Sequence, residues 1–327
     1  MLLAVSQDPL PHQEKLDKAL AYLKSKMSSL DAGIMPYMGL AFLLDGREEF
    51  KEPLQTIVDQ TLPLTGESKH FNGNWHLAQA ILFLSEVYKR DPSERIAEAL
   101  KQASKSAARS VEATGGWCHH RGYAARSGYD RKGGGVDISM LTALMVAALM
   151  NMRAAELEVN GSLISNGVSN LKGMSRGGLI GYGTGNGAPD RAAARGAMLA
   201  FALWLGKQSG DPHVGAVKQI LPRVLGQTES GHAWGPLNFL AVGLAGYATG
   251  QYGSFASTWL GRLRQAADGT VTLRADGRND NNFDGGHVGD TAVYAILILL
   301  QRKNILEAGG GSGAARRPSI SPFSQRK

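Results

Sequence analysis

The chain has a single thiol, Cys118, and it sits in the densest run of reactive side chains, Gly115-Gly116-Trp117-Cys118-His119-His120. Thiolate and imidazole are both zinc ligands, and a cysteine beside a histidine is also the pattern of an activated nucleophile. With no second cysteine, further zinc ligands would have to be His76, His232 or His287. Isolated ligand types seldom make a site, and the same residues suit a loop with a small buried thiol and an imidazole bonded to backbone. The expectation is therefore no cofactor, with Cys118 as the anchor of any zinc that does bind.

A second set of chemically able residues recurs at spaced points: Asn74, Trp75 and His76; Asp137; Asp190 and Arg191; His232, Trp234 and Asn238; His287 and Asp290. Paired carboxylates whose environments split their pKa values can divide general acid and base roles. On that ground Asp137, Asp290 and His287 are the catalytic candidates. Asp137, Asp190 and Asp290 would equally serve as plain N-caps of the helices they precede. Arg191 and Arg195, four apart, share a helix face and would take an anion if turned inward. Trp75, Trp117, Tyr182 and Trp234 lie in or beside turns, where aromatic faces stack on sugars, stabilise cations or plug hairpin ends. With His76, His119, Arg191 and His232 they form the candidate ligand-binding set. The glycine-rich stretch 177–187 has no Gly-Lys-Ser/Thr step, which argues against a nucleotide loop.

What must position these residues is a six-fold recurrence: an amphipathic helix, a break, a helix rich in small apolar residues, and a glycine-rich turn. Amphipathic starts fall near Gln13, Lys51, Ser93, Glu156, Pro212 and Ser254. Apolar starts fall near Pro36, Asn74, Val136, Asp190, Pro236 and Val288. Leu16, Ala19, Leu20 and Leu23 mark one helical face of the first kind, whereas 136–151 and 190–205 are apolar or small nearly all round. A period of roughly 40–50 residues means stacked units, none able to bury its apolar face alone. Six hairpins closing on themselves predict an all-α, (α/α)6-type toroid over 13–308, with the spaced residues gathered at one rim. Residues 1–12 read as a lead-in and 309–327 as a disordered basic tail. Strand signals are nearly absent, apart from a short alternating arm at Gly269–Leu273.

Composition narrows the classes. At 327 residues and 43% apolar the chain can build a large core, and its mean hydropathy of −0.16 goes with no apolar run long enough to cross a membrane. The net charge is +7 and the pI about 9.4, but the lysines and arginines are scattered over amphipathic helices and the tail, which argues against nucleic acid. Met1–Val5 lack a basic lead and a full apolar stretch, so the sequence carries no recognisable export signal. A soluble protein follows, cytoplasmic or exported after loss of a signal.

The hairpin series resembles the α/α toroids of the terpenoid cyclase and protein prenyltransferase superfamily. Leu16-Asp17-Lys18-Ala19-Leu20-Ala21-Tyr22-Leu23 resembles their repeat opening, and Gly285-Gly286-His287-Val288-Gly289-Asp290-Thr291-Ala292 their closing inner helix. Gly116-Trp117 and Gly181-Tyr182-Gly183 fit the glycine-aromatic turns. The likeness is nearest to a bacterial branch in which a Gly-Gly-Trp-x-His turn precedes the third inner helix. The resemblance implies a central cavity and an isoprenoid-like ligand, but the functional motifs depart from it. Val136-Asp137-Ile138-Ser139 and Gly289-Asp290-Thr291-Ala292 each hold one carboxylate where class II cyclases carry a cluster. Asp137, Ser139 and Asp290 stand where prenyltransferases hold zinc with Asp, Cys and His. The leading expectation is a toroid of this kind that binds or transforms a small-molecule ligand without the usual metal. The alternatives are a carbohydrate-active glycosidase or lyase, and a noncatalytic toroid presenting its rim to a protein.

Overall fold

Helices of the two expected kinds alternate along the chain in a computed structural model that describes residues 12–29, 31–68, 70–120, 137–184, 191–228, 234–273 and 286–302. The first three hairpins pair α1 (Gln13–Ser25) with α2 (Met35–Asp45), α3 (Lys51–Thr61) with α4 (Gly73–Arg90), and α5 (Glu94–Ser110) with α6 (Ser139–Ala154). The next three pair α7 (Gly161–Gly173) with α8 (Ala193–Leu205), α9 (Pro212–Val224) with α10 (Gly235–Ala248), and α11 (Tyr252–Trp259) with α12 (Gly286–Leu299). The odd-numbered helices bury one stripe, such as Leu16, Ala19, Leu20 and Leu23 of α1 or Ile96, Leu100, Ala103 and Ala107 of α5. The even-numbered ones are apolar nearly all round, and α6 is buried at every position from Ser139 to Met152. That difference sorts them into a sheath and an inner ring, because only a helix covered on all sides can be apolar on all sides.

The inner ring closes. Each even-numbered helix packs on the next, and α12 returns to pack on α2 and α1. One continuous cluster of buried apolar side chains runs through all six hairpins. Full burial of a single Leu or Phe contributes about 1.5–3 kcal/mol, so the closing contact of α12 with the first hairpin is a large stabilising term. The architecture is the (α/α)6 toroid expected from the repeat. The lead-in over 1–12, apart from His12, and the tail over 309–327 lie outside the described residues.

Helix boundaries follow their caps. Ser93 Oγ accepts from Ile96 N (3.4 Å) and Asp211 Oδ1 from His213 N (2.9 Å), as the sequence suggests. The start expected near Glu156 falls at Gly161 instead. Glu156 adopts φ 64° in the turn that ends α6, and Asn160 caps α7 by accepting from Ser162 N (3.0 Å). Starts expected at Val136 and Asp190 move to Ser139 and Ala193, because the residues just ahead are extended and bonded to other segments. Ile138 N donates to Trp117 O (2.9 Å), and Arg191–Ala192 forms a strand.

Two small sheets lie within hairpins, one between the helices of the fourth and one between those of the sixth. β1 (Ser175–Arg176), β2 (Leu179–Gly181) and β3 (Arg191–Ala192) form one antiparallel sheet, in which Arg176 faces Leu179 and Ile180 faces Ala192. The β1–β2 turn needs φ of 58° and 87°, which Gly177 and Gly178 supply. The arm expected at Gly269–Leu273 is the second strand of a hairpin, β4 (Arg264–Gln265) with β5 (Val271–Thr272). The three-stranded sheet has no counterpart in the sequence expectation.

Candidate functional site

The first turn of an α-helix leaves backbone N–H groups without partners inside the helix. In two inner helices those donors are taken by the segment leading into the next inner helix. Asn74 N, at the start of α4, donates to His119 O (2.8 Å), and Ser139 N, at the start of α6, donates to Tyr182 O (2.9 Å). Side chains double each link. Asn74 Nδ2 donates to Cys118 O (2.7 Å), and Ser139 Oγ to the carbonyls of Gly181 (2.6 Å) and Tyr182 (2.8 Å). Each lead-in segment is also held by its own inner helix. Trp117 N donates to Thr142 Oγ1 (2.9 Å) on α6, and Val271 N to Thr291 Oγ1 (3.0 Å) on α12. The rim is thus stitched from one hairpin to the next.

The carboxylates proposed from sequence as an acid–base pair sit within these stitches. Asp137 is fully buried. Its Oδ1 accepts from Thr184 N (2.9 Å) and Thr184 Oγ1 (2.7 Å), and its Oδ2 from Asn170 Nδ2 (2.6 Å) and Thr114 Oγ1 (3.4 Å). A Cβ on Gly116 would collide with this carboxylate, and one on Gly183 with the Asp137 carbonyl. Asp137 therefore joins the 114–116 turn, the end of α7 and the 183–184 loop, with both oxygens occupied. Asp290, 5% exposed, accepts from Leu273 N (3.1 Å) and so holds β5 against α12. Neither acid is a plain N-cap: α6 starts after Ile138 with no side-chain cap, and Asp290 lies inside α12; both instead order loops beside the heads of inner helices. His287, in the first turn of α12, keeps its Nδ1 buried without a hydrogen-bond partner. No hydrogen bond among the described residues joins Asp137, Asp290 and His287 to one another.

The Cys118 cluster also resolves into structure. Cys118 lies in the core, and burial, ahead of the nearby charges of Glu112 and Asp137, pushes its thiol up to about 12. A buried, protonated thiol is a poor metal ligand, and no group of three or more His, Cys, Asp or Glu among the described residues is placed to hold a metal ion. Trp117 is fully buried with Nε1 donating to Ala107 O (3.0 Å), plugging the hairpin end instead of lining a cavity. Tyr182 lies under the guanidinium of the buried Arg195 (5.1 Å to the ring centre). Arg191 is in β3, its side chain outside the description, and His232 also lies outside the described residues.

A cleft does form where the heads of α2, α4 and α10 meet. It holds about 300 Å³ of empty space, counted out to its open mouth, and is lined by Asp31, Gly33, Ile34, Asn72, Trp75, His76, Gln79 and Trp234. Most of that space is open to solvent; the enclosed part is about 20 Å³, room for a water-sized group, so the cleft is a shallow notch in the rim. Asp31 starts α2 through its carbonyl, which accepts from Ile34 N (3.1 Å) and Met35 N (3.0 Å), and its Oδ1 accepts from Gly33 N (2.7 Å). Asp31 and His76 both close on Gly33, where a Cβ would lie 3.1 Å from Asp31 Oδ1 and 3.4 Å from His76 Nε2. Trp234 meets the Tyr37 ring at 5.2 Å. Two acceptors here are buried without a hydrogen-bond partner: Gln79 Oε1 and Asn72 Oδ1. The Gln79 amide lies close enough to the Tyr37 hydroxyl for a side-chain hydrogen bond that works against the upward pull of burial on the phenol. Of the sequence candidates, Trp75, His76 and Trp234 are brought together in this cleft. Asp31, Asn72 and Gln79 went unrecognised, although a lone amide within the apolar run Leu77–Leu84 was a readable signal.

His119 stands beside the cleft. Its Nδ1 accepts from Trp75 Nε1 (3.2 Å), and Phe71 stacks on its ring at 4.1 Å. Burial, with a smaller push from the charge of His120, lowers its pKa to about 4, so at neutral pH the imidazole is uncharged and able to accept that bond.

No known family profile matches this sequence. No curated protein matches it either. Solved structures do match in fold. An inactive variant of an α-1,6-mannanase from Salegentibacter sp., in complex with α-1,6-mannotriose, superposes with a TM-score of 0.64 at 11% identity, over 90% of this chain and 99% of that one. The type II terpene cyclase MstE from Scytonema gives 0.59 at 15% identity, over 89% and 97%. A protein from Actinoplanes gives 0.54 at 14%, over 89% and 99%. At such identities the likeness establishes the toroid fold, shared by a glycan hydrolase and a terpene cyclase.

Two outcomes are expected. Asp137→Ala leaves the Thr184 and Asn170 donors unmet in a buried site and should lower unfolding stability by about 2–4 kcal/mol; a loss under about 0.5 kcal/mol in urea titration would contradict the junction role. His119 has a folded pKa of about 4 against 6.5 unfolded, so unfolding takes up a proton between those values. Its contribution is full above pH 6.5 and declines as pH falls toward 4. Urea midpoints measured across that window should fall less steeply in His119→Asn than in the parent; equal slopes would refute the assignment.

Proposed function

We propose that this toroid binds a neutral saccharide in the rim cleft between α2, α4 and α10. The observation that carries the reading is the pairing of indole rings, Trp75 and Trp234, with buried acceptors that lack protein partners, Gln79 Oε1 and Asn72 Oδ1. A buried acceptor left unmet costs about 1–3 kcal/mol, and a ligand hydroxyl donating to it recovers that cost. Sugars offer hydroxyl donors around a ring whose C–H faces suit aromatic walls. The mannanase match, solved with a trisaccharide, supports the fold's capacity for such a ligand.

The isoprenoid reading that leads from sequence has less support. Half of the lining residues just named are Asp31, Asn72, His76 and Gln79, which oppose a hydrocarbon. The lining includes a carboxylate and no Lys or Arg among the described residues, which disfavours a diphosphate head group. Presentation of the rim to a protein has less support still, because Phe71 is the one large exposed apolar side chain among the described residues. Proton transfer to a bound sugar would fall to Asp31 and His76, the titratable groups of the lining.

Calorimetric titration with mannose, glucose, α-1,6-mannotriose, maltotriose and cellotriose tests the reading. We expect at least one to bind, and Gln79→Leu, which keeps side-chain bulk but removes the acceptor, to weaken it about ten-fold, as loss of one buried hydrogen bond implies. Unchanged affinity in Gln79→Leu would contradict the placement. Binding of geranylgeraniol with none of the sugars would return the isoprenoid reading.

A further inference from the structure

The enclosed part of the notch, about 20 Å³, has room for one water-sized group. A sugar ring is far larger, so the ring stays at the open mouth and a single substituent goes in. The polar atoms at that place decide which substituent. Gln79 is 5% exposed and keeps Oε1 buried without a hydrogen-bond partner, and such an acceptor gains most from a donor that the ligand brings. Its amide is steadied by Tyr37, a fully buried phenol close enough for a side-chain hydrogen bond, which packs in turn on the Trp234 ring at 5.2 Å. The acceptor is therefore in place before a ligand arrives, and little ordering cost falls on binding. The second acceptor without a partner, Asn72 Oδ1, belongs to a half-buried residue just ahead of α4. Its backbone is held on both sides, N donating to His70 Nδ1 (3.2 Å) and O accepting from His76 N (3.0 Å).

Depth separates the hydroxyls of a hexose. One attached to a ring carbon cannot enter far without the ring following, and the notch is too small for the ring. The C6 hydroxymethyl carries its oxygen one carbon farther out and is slim enough to enter alone. We propose that the notch reads the C6 hydroxymethyl of a hexose, with O6–H donating to Gln79 Oε1 and ring hydroxyls at the mouth within reach of Asn72 Oδ1. This rests on the saccharide reading above and adds the part of the sugar that is recognised, a free 6-hydroxyl. In a 1,6-linked chain only the non-reducing end carries one, so the site accepts that end; in a 1,4-linked chain every residue carries one.

The test is calorimetric titration of the full chain with two matched series: glucose, 6-deoxyglucose and xylose, and mannose, 6-deoxymannose and lyxose. Each series removes first the 6-hydroxyl and then the whole hydroxymethyl while keeping the ring. The better-bound hexose should bind about ten-fold more tightly than its 6-deoxy and pentose counterparts, the scale of one buried hydrogen bond. Its 6-O-methyl ether, which lacks the donor and adds bulk, should bind no better than the 6-deoxy sugar. Gln79→Leu should bring the hexose down to the 6-deoxy level while changing the 6-deoxy affinity by less than about two-fold, the coupling expected of groups in direct contact. The sugar series uses the unaltered chain, so it decides the matter even where Gln79→Leu fails to fold. Equal affinity for hexose and 6-deoxy sugar overturns the C6 assignment, and so does a Gln79→Leu variant that weakens both alike; either leaves the cleft reading intact. Absence of binding by every sugar overturns both.

Discussion

An α-helix that begins at the rim of a ring brings several backbone N–H groups with no partner in their own helix, and a buried rim offers little water to satisfy them. Here the hairpin that follows in sequence supplies the partner. Asn74 N and Ser139 N donate to carbonyls at His119 and Tyr182, in segments that lead to the next inner helix. The unmet donors of one unit and the unpaired carbonyls of the next solve each other's problem. This is why the repeats are not independent: each inner helix depends on its neighbours for an apolar wall, and α4 and α6 depend on the following hairpin for first-turn hydrogen bonds as well. Ring closure through α12 and α2 extends that dependence to the first unit.

The same constraint decides which polar residues are available for chemistry. Asp137, Asp290, Ser139 and Thr142 stand where a carboxylate or hydroxyl at the head of an inner helix could face a ligand, yet each is bonded to the lead-in segments. Where Gly33 brings Asp31 and His76 together beside Trp75 and Trp234, buried acceptors remain unmet instead. The site follows from that contrast. Polar groups used up by the stitches hold the rim, and polar groups left over in the cleft are suited to a ligand. His119 belongs to both, with its backbone in a stitch and its ring between Trp75 and Phe71.

Much of the fold was legible because its determinants are local. One apolar stripe on α1 and all-round apolarity on α6 announce sheath and ring, and Ser93 and Asp211 announce helix starts. The failures share a cause. Val136 and Asp190 read as helix starts because small and apolar residues follow them nearly all round, but hydrogen bonds to distant segments hold Ile138 and Arg191–Ala192 extended, so the helices begin at Ser139 and Ala193. The site was half legible for the same reason. Trp75, His76 and Trp234 were recognisable as rim residues, whereas Asp137 looked catalytic because its four donors come from positions 23 to 47 residues away. Gln79 gains its meaning only when α2 and α10 close over it.

Amide hydrogen exchange at Asn74 and Ser139 tests the stitched rim most directly. First-turn amides of an ordinary surface helix exchange nearly as freely as an unfolded chain. If the next hairpin holds them, both should exchange only through large-scale opening, with protection close to that of mid-helix amides such as those of Leu82 and Leu144. Fast exchange at Asn74 and Ser139, with the middles of α4 and α6 still protected, would show that the inner helices carry unstitched ends and would contradict the account.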